Sequence, residues 1–466
     1  MTNLNNHLVE RVAEQVSPLI LPHSSILIGL SGGVDSVVLL HVLHKLAPRF
    51  SWQLSALHVH HGISPNADSW ADFCTELCAS NNISLHIERV DITPLRAHGI
   101  EAAARKLRHM AFAEQDCDFV ALAHHADDQV ETLLLQLLRG AGVRGASAMP
   151  VLSLRLRSGL KASSKRPLLA KCTDALKLVR PLLHCSRQDI LEYAAELRLQ
   201  WIEDESNLDD IYPRNFLRHR ALPLLAERFP AYRDTLARSA QHFAEAGKLL
   251  DELAQQDAGQ AIQGTALAVA ALLAISNLRA KNLLRYFLHG LGAPMPQASL
   301  LDDMLQQLCY AREDAAVCIS YGDWQVRRYQ GRVYAMPALE DIDPGLMLAW
   351  KGEAELNWPA LRQNLVFDRT QGEGISLAKL QRVPVTLRVR SGGEALRPGP
   401  DAATRTLKNL LQEHHIPPWQ RDRLPLLYSG EELVCVPGVA IAAEYQADAH
   451  EPAVRVELQG TQNGKA

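Results

Sequence analysis

The sequence predicts an α/β fold: a mostly parallel sheet with helices on both faces, followed by a helical region and a small α+β domain. Between residues 25 and about 140, short apolar runs alternate with stretches of helical periodicity, the pattern of parallel strand-helix units. A glycine loop, Ser31-Gly-Gly-Val-Asp-Ser36, joins the first strand to the first helix. In such sheets that turn lies on the binding edge, at the carboxyl ends of the strands. From Ala231 to Cys309 the pattern turns helical, and from Val383 to about Tyr445 short strand-like runs return among Gly and Pro turns. The boundaries that follow are 1–228 for the α/β domain, 229–340 for the helical region and 341–380 for a connector. Residues 381–455 form the final domain, and 456–466 a disordered tail.

Each element has its own support. Ser25-Ile-Leu-Ile-Gly-Leu30 reads as a buried strand, and the helix after the loop carries Leu39, Leu43 and Leu46 on one face. Leu54 to His60 is a second strand. Trp70, Phe73, Cys74, Leu77 and Cys78 recur at helical spacing, so both thiols face the core. A third strand covers Ile83 to Ile92, a helix Glu101 to Gln115, and a fourth strand Asp118 to Ala123. A leucine-rich helix then ends near Gly140. Gly140-Ala-Gly-Val-Arg-Gly145 has dinucleotide-loop spacing but follows a helix, so it reads as a helix stop and turn.

Bulk properties exclude several classes. The 466 residues exceed one ordinary core. No apolar run approaches the roughly 20 residues that span a bilayer, and Met1 to His7 shows no secretory pattern. The eight cysteines include no Cys-x-x-Cys pair, which argues against zinc and disulfides and fits reduced thiols in the cytoplasm. Net charge is −4, so overall charge does not make a polyanion binder. Arg155, Arg157, Lys161, Lys165, Arg166, Lys171, Lys177 and Arg180 nonetheless crowd one segment whose sole acid is Asp174. A solvated basic loop is the common meaning of such a run; a phosphate-backbone contact surface is the sharper one.

The glycine loop carries the first chemistry. Gly32 and Gly33 let a phosphate approach the backbone, the helix start supplies N–H groups, and Ser31 and Ser36 add hydroxyls. The Gly-Lys-Ser/Thr ending of a Walker loop is missing. His124-His-Ala-Asp-Asp-Gln-Val-Glu-Thr132 begins where the fourth strand ends, on the same sheet edge. Asp128 and Glu131, three apart, share a helix face and can hold an ammonium group or accept its proton. Helix capping by Asp127 or Asp128 is the plainer alternative. Glu101, Arg105 and Arg108 also share one face, as a salt-bridge stripe or as part of the site. Further on, Trp201-Ile-Glu-Asp-Glu-Ser-Asn207 leads to Arg214-Asn-Phe-Leu-Arg218.

The loop resembles the pyrophosphatase loop (PP-loop) of N-type ATP pyrophosphatases, and the later motifs resemble the tRNA(Ile)-lysidine synthetase family. His60-His61-Gly62, the Glu101 to Arg105 helix, the His124 to Thr132 run, Arg180-Pro-Leu-Leu183 and the Trp201 to Asn215 stretch occur in the family's order. Arg390-Ser-Gly-Gly-Glu394, Leu407-Lys408 and Gln412 to Arg421 are similar to its last domain. The resemblance implies a PP-loop, adenine-nucleotide α-hydrolase-like domain, then tRNA-binding and C-terminal domains. It implies a ligase that uses ATP to adenylate the C2 oxygen of cytidine 34 in the CAU anticodon of a minor isoleucine tRNA. The ε-amine of free L-lysine then displaces AMP. By the same resemblance, Ser31, Gly32, Gly33, Val34, Asp35 and Ser36 hold ATP, with Asp35 at Mg²⁺, and His124 lies at the α-phosphate. Asp128 and Glu131 receive lysine, Arg105 and Arg214 steady the cytidine or phosphate charge, and Arg390, Lys408 and Arg421 grip tRNA. Trp419 either stacks on RNA or anchors the core. A homodimer stays open, and a membrane partner is not expected.

Two departures touch loops only: Gly145-Ala-Ser-Ala-Met149, and a basic segment longer than the family's usual one. Rival readings are a tRNA thiolase, disfavoured by the missing Cys-x-x-Cys, a non-catalytic nucleotide sensor, and an amide ligase, for which no glutaminase nucleophile is evident.

Overall fold

The computed structural model describes residues 4–93, 99–156, 175–203, 213–312, 315–361, 363–380 and 382–459. The chain forms two compact units that divide between Leu253 and Ala254.

The first unit opens with helix α1 (Leu4–Val16), then alternates β1 (Ser25–Gly29), α2 (Val34–Phe50), β2 (Gln53–His60), α3 (Ala67–Ser80), β3 (Ser84–Arg89), α4 (Ile100–Glu114), β4 (Phe119–Ala121) and α5 (Ala126–Leu138). A short α6 (Val143–Ala146), β5 (Leu152–Leu156), β6 (Ala175–Val179) and α7 (Arg187–Glu196) follow. Then come α8 (Pro213–Phe216), a π-helical turn (Leu217–Ala221), α9 (Leu222–Arg228) and the long α10 (Tyr232–Ala258), whose last residues enter the second unit. The sheet order is β3-β2-β1-β4-β6-β5, parallel except at β5–β6. Strand periodicity divides its two cores. Ile26 and Ile28 pack in a cluster that includes residues of α1, α2, α3 and α7, whereas Leu27 packs with Phe112 of α4. Cys74 and Cys78 face the first core, as their spacing predicts.

The order reverses between β1 and β4, so the turns after these strands flank the crevice of a doubly wound sheet. Gly29 allows close packing there, since a Cβ on it would lie 2.9 Å from Phe112 Cζ. Gly140, at φ 72°, ends α5 as a helix stop.

The basic segment departs from the expected loop. Its ends are the antiparallel pair β5–β6, and residues 157–174, with five of its eight basic side chains, lie outside the described residues. Lys177 stacks over Phe119 at 4.9 Å. Arg180 is buried and donates to Pro150 O at 2.7 Å and Ser153 Oγ at 3.2 Å. These two cations hold the fold rather than offer a phosphate surface.

The second unit is richer in strands than the sequence suggests. Within 229–340, expected as helical, β7 (Ile262–Gln263) and β8 (Ala266–Ala268) precede α11 (Val269–Leu273), α12 (Asn277–Gly290) and α13 (Ala298–Tyr310). With β9 (Cys318–Tyr321), β10 (Trp324–Tyr329) and β11 (Arg332–Pro337), the strands form a five-stranded antiparallel sheet beside the helices. The expected connector, 341–380, contributes β12 (Met347–Trp350), β13 (Glu355–Trp358), β14 (Gln363–Gln371), β15 (Ile375–Ser376) and α14 (Leu377–Leu380). Trp358, Leu365 and Phe367 put it in the core. The rest is β16 (Val385–Arg388), β17 (Ala395–Leu396), β18 (Arg405–Thr406), α15 (Leu407–Glu413), α16 (Pro418–Arg421), β19 (Leu426–Ser429), β20 (Glu432–Val436), β21 (Ala440–Ile441) and β22 (Pro452–Gln459). β22 pairs with β14 through Gln459, so residues 456–459 of the expected tail are strand; the remainder lies outside the described residues.

Candidate active site

The loop after β1 is shaped by Ser36. The N–H groups of Ser31 and Gly32 donate to Ser36 Oγ at 3.2 and 3.1 Å, and that hydroxyl donates to Gly33 O at 2.9 Å. The Ser36 hydroxyl, expected as a phosphate donor, is thus engaged inside the loop. By helix geometry the N–H groups of Val34 and Asp35, in the first turn of α2, have no intrahelical acceptor and remain for an anion. Gly32 sits at φ 89°, and a Cβ there would collide with Ile202. The Ile202 N–H donates to Gly32 O at 2.9 Å, so the Trp201–Glu203 stretch closes over the loop. Gly33 meets only Ser31 Oγ, which leaves its outer face open for a ligand.

Opposite, α5 begins with His125, whose N–H donates to Asp128 Oδ2 at 3.1 Å. Capping is therefore real, but the acid has further contacts. The buried His125 ring lies 3.8 Å from Asp35 Oδ1 through Nε2 and 3.5 Å from Asp128 Oδ2. It bridges the phosphate loop to the acid pair. Asp127 accepts the Arg187 N–H at 2.9 Å and Arg233 Nε at 2.5 Å.

The acid pair is not empty of cations. Arg218 donates to Glu131 through Nε at 2.8 Å and Nη2 at 3.1 Å, and to Asp128 through Nη2 at 3.4 Å. Sequence reasoning gave Arg218 no role, although it lies four residues beyond Arg214, one helical turn on. Burial raises the Glu131 pKa, and Arg218 offsets only part of that. Burial also acts to raise Asp128, but His125, His124, the His125 N–H and Arg218 outweigh it and hold this carboxyl low. Asp35 is raised by burial against the opposing charges of His125, Arg187 and Arg218, so both arginines lie in its field.

A cavity of about 540 Å³ opens beside the loop, lined among others by Ser31, Asp35, His61, Trp70, Arg108 and His124. Asp128 and Glu131 are not in its wall; both contact Arg218. Burial holds His61 neutral, with a pKa of about 4, helped by the charge of Arg108. It lowers His124 to about 3 despite Asp128, with the charges of Arg180, Arg214 and Arg105 acting in the same direction as burial. Arg105 and Arg214 therefore converge on His124, and Arg214 also donates to Thr132 Oγ1 at 3.1 Å. Among the described residues no cluster of three or more His, Cys, Asp or Glu side chains could hold a metal by itself.

The expected RNA-binding residues of the second unit separate. Lys408 is exposed. Arg390 is half-buried and faces Glu394 at 3.5 Å and Asp422 at 3.8 Å. Arg421 is buried, donating to Ile416 O at 2.7 Å and the Tyr329 hydroxyl at 2.8 Å, so it braces the fold and is withdrawn as a phosphate contact. Trp419 packs edge-on against Tyr329 and Tyr334 with Arg327 over its ring, which makes it an anchor.

Comparison with known proteins agrees with this organisation. A PP-loop domain model matches residues 4–225, a TilS substrate binding domain 267–334, and a TilS substrate C-terminal domain 385–458. The tRNA(Ile)-lysidine synthase of Nitrosomonas europaea is 42% identical over 425 residues, covering 91% of this chain and 90% of its own. That of Coxiella burnetii is 37% identical over 94% of each chain. Among solved structures, the U34-tRNA thiolase NcsA from Methanococcus maripaludis aligns over 52% of this chain and 80% of its own, at 17% identity and a TM-score of 0.42. Sequence identity sustained over nine-tenths of both chains, with all three domain models in order, places this chain in the tRNA(Ile)-lysidine synthase family.

Proposed function

We propose that this chain is an ATP-dependent ligase that joins L-lysine to cytidine 34 of an isoleucine tRNA with a CAU anticodon. ATP adenylates the C2 oxygen, pyrophosphate leaves, and the lysine ε-amine displaces AMP to give lysidine. The observation that carries this reading is the His125 bridge, which sets the phosphate loop and the acid pair within one side chain of each other.

The Ser31–Ser36 loop holds the phosphates through the N–H groups of Val34 and Asp35, with the loop braced by Ser36. Asp35 fits a Mg²⁺ ligand, because its Oδ1 is buried without a hydrogen-bond partner and both burial and the neighbouring Asp128 carboxylate penalise its charge. One carboxylate plus substrate phosphates is the ordinary Mg²⁺ arrangement, and the ion would neutralise charge on the departing pyrophosphate. Uncharged His124 donates or accepts a hydrogen bond at the α-phosphate, and Arg105 and Arg214 stabilise charge developing there. Asp128 and Glu131 supply the negative charge that attracts the lysine ammonium. Lys408 and Arg390 contact tRNA phosphates. The enzyme works in the cytoplasm, where free thiols stay reduced, and sedimentation of the free enzyme decides between monomer and homodimer.

Incubation with ATP, labelled lysine and a CAU-anticodon isoleucine transcript tests the reading. Label should enter the tRNA only with ATP present, with AMP and pyrophosphate released. Absence of transfer by a preparation that binds ATP and tRNA would overturn it.

A further inference from the structure

Arg218 treats the two acids unequally. It holds Glu131 by both carboxylate oxygens, at 2.8 and 3.1 Å, while its single contact with Asp128 Oδ1 is 3.4 Å. A two-pronged guanidinium–carboxylate pair is stronger and better oriented than one long contact. The Glu131 side chain has no exposed surface, so it has no face left for a second cation. The Asp128 side chain keeps 13% of its surface, and its Oδ2 faces His125 on the side of Asp35. Arg218 also stands on the π-helical turn Leu217–Ala221, a backbone form found mostly as short bulges at functional sites.

We propose that Arg218 is a positioning residue of the amine subsite, pinning Glu131 as its fixed counter-ion and leaving Asp128 as the carboxylate that meets the lysine amine. The incoming ammonium replaces only the long Arg218–Asp128 contact, and the Glu131 fork stays closed. Glu131 then acts through Arg218 rather than on the substrate, which divides the labour of a pair that the sequence motif presents as equals. The proposal rests on the lysine-ligase reading above.

The test uses the full chain with Arg218→Met, Arg218→Lys, Glu131→Gln and Asp128→Asn. Two quantities are measured: the KM for lysine in the transfer assay, and tRNA-dependent pyrophosphate release from ATP in a single turnover without lysine. Arg218→Met and Glu131→Gln should each raise the lysine KM about tenfold or more, a larger factor than the accompanying loss of pyrophosphate release. Arg218→Lys, which keeps the charge but not the fork, should recover part of the loss. Asp128→Asn should abolish lysine saturation. Equal losses in both readouts across the series, or an unchanged lysine KM in Arg218→Met or Arg218→Lys, would overturn the proposal. A wild-type enzyme that transfers no lysine sinks the function reading itself, before any variant is compared.

Discussion

At the scale of single residues, the Ser36 hydroxyl fixes the loop through four hydrogen bonds, three accepted and one donated. Ser36→Ala removes the acceptor of two loop N–H groups, and each group left unsatisfied costs about 1–3 kcal/mol. The expected outcome is a melting midpoint of the first unit lower by several degrees and a weaker stabilising shift on adding ATP, both read by scanning calorimetry. The motif was legible in the sequence because its glycines and its place after a strand are local facts. The direction of the Ser36 hydroxyl was not, since an exposed phosphate donor and an internal brace have the same spelling. Arg421 repeats the lesson: its neighbours in sequence suggest a free cation, and only the fold brings Tyr329, ninety-two positions away, to its guanidinium. Arg218 was visible as a letter in a motif but silent in role, because its partners are 87 and 90 positions upstream.

Among the elements, α5 was predicted from its leucines, and its acidic start from the chemistry it carries. Its consequence for α10 could not be read in advance. Asp127 holds Arg233 at 2.5 Å, in the first turn of α10, so the motif also anchors the start of that helix. Arg233→Ala should cost about 1–3 kcal/mol, since it takes from a buried carboxylate the guanidinium on Oδ1 and leaves the Arg187 N–H on Oδ2. Hydrogen exchange should show faster opening at the start of α10, and chemical denaturation should give the energy. Strands were legible where apolar alternation is strong, as in β1. They were missed where a strand spends its side chains on other tasks. In β10, Trp-Gln-Val-Arg-Arg-Tyr, only Val326 is fully buried, so the period of two is nearly erased. The stretch from 341 to 380 failed for a related reason: β12 and β13 are four residues each, and β14 alternates inward only over Gln363, Leu365 and Phe367 before its polar, mostly exposed second half.

For the whole molecule, half-buried histidines make the first unit sensitive to acid. Burial lowers both His41 and His61 from 6.5 to about 4. Between those values the unfolded chain binds more protons than the folded one, so stability falls as pH drops from 6.5 toward 4 and is fully present above 6.5. The unfolding midpoint measured from pH 7 to 5 should decline, and His41→Asn with His61→Asn should flatten that decline. An unchanged slope in the double variant would show that other groups carry the acid response.

The second unit raises a question of order in time. β22, at residues 452–459, lies between β14 and β15 in its sheet, and its partner β14 was made some ninety residues earlier. Until β22 arrives, β14 has an open edge from Asn364 to Gln371, with Leu365 and Phe367 lacking their cover. An unpaired apolar strand is a template for wrong pairing. While the chain is still emerging from the ribosome, the half-built sheet is therefore an aggregation-prone surface, and chaperone capture during synthesis should include it.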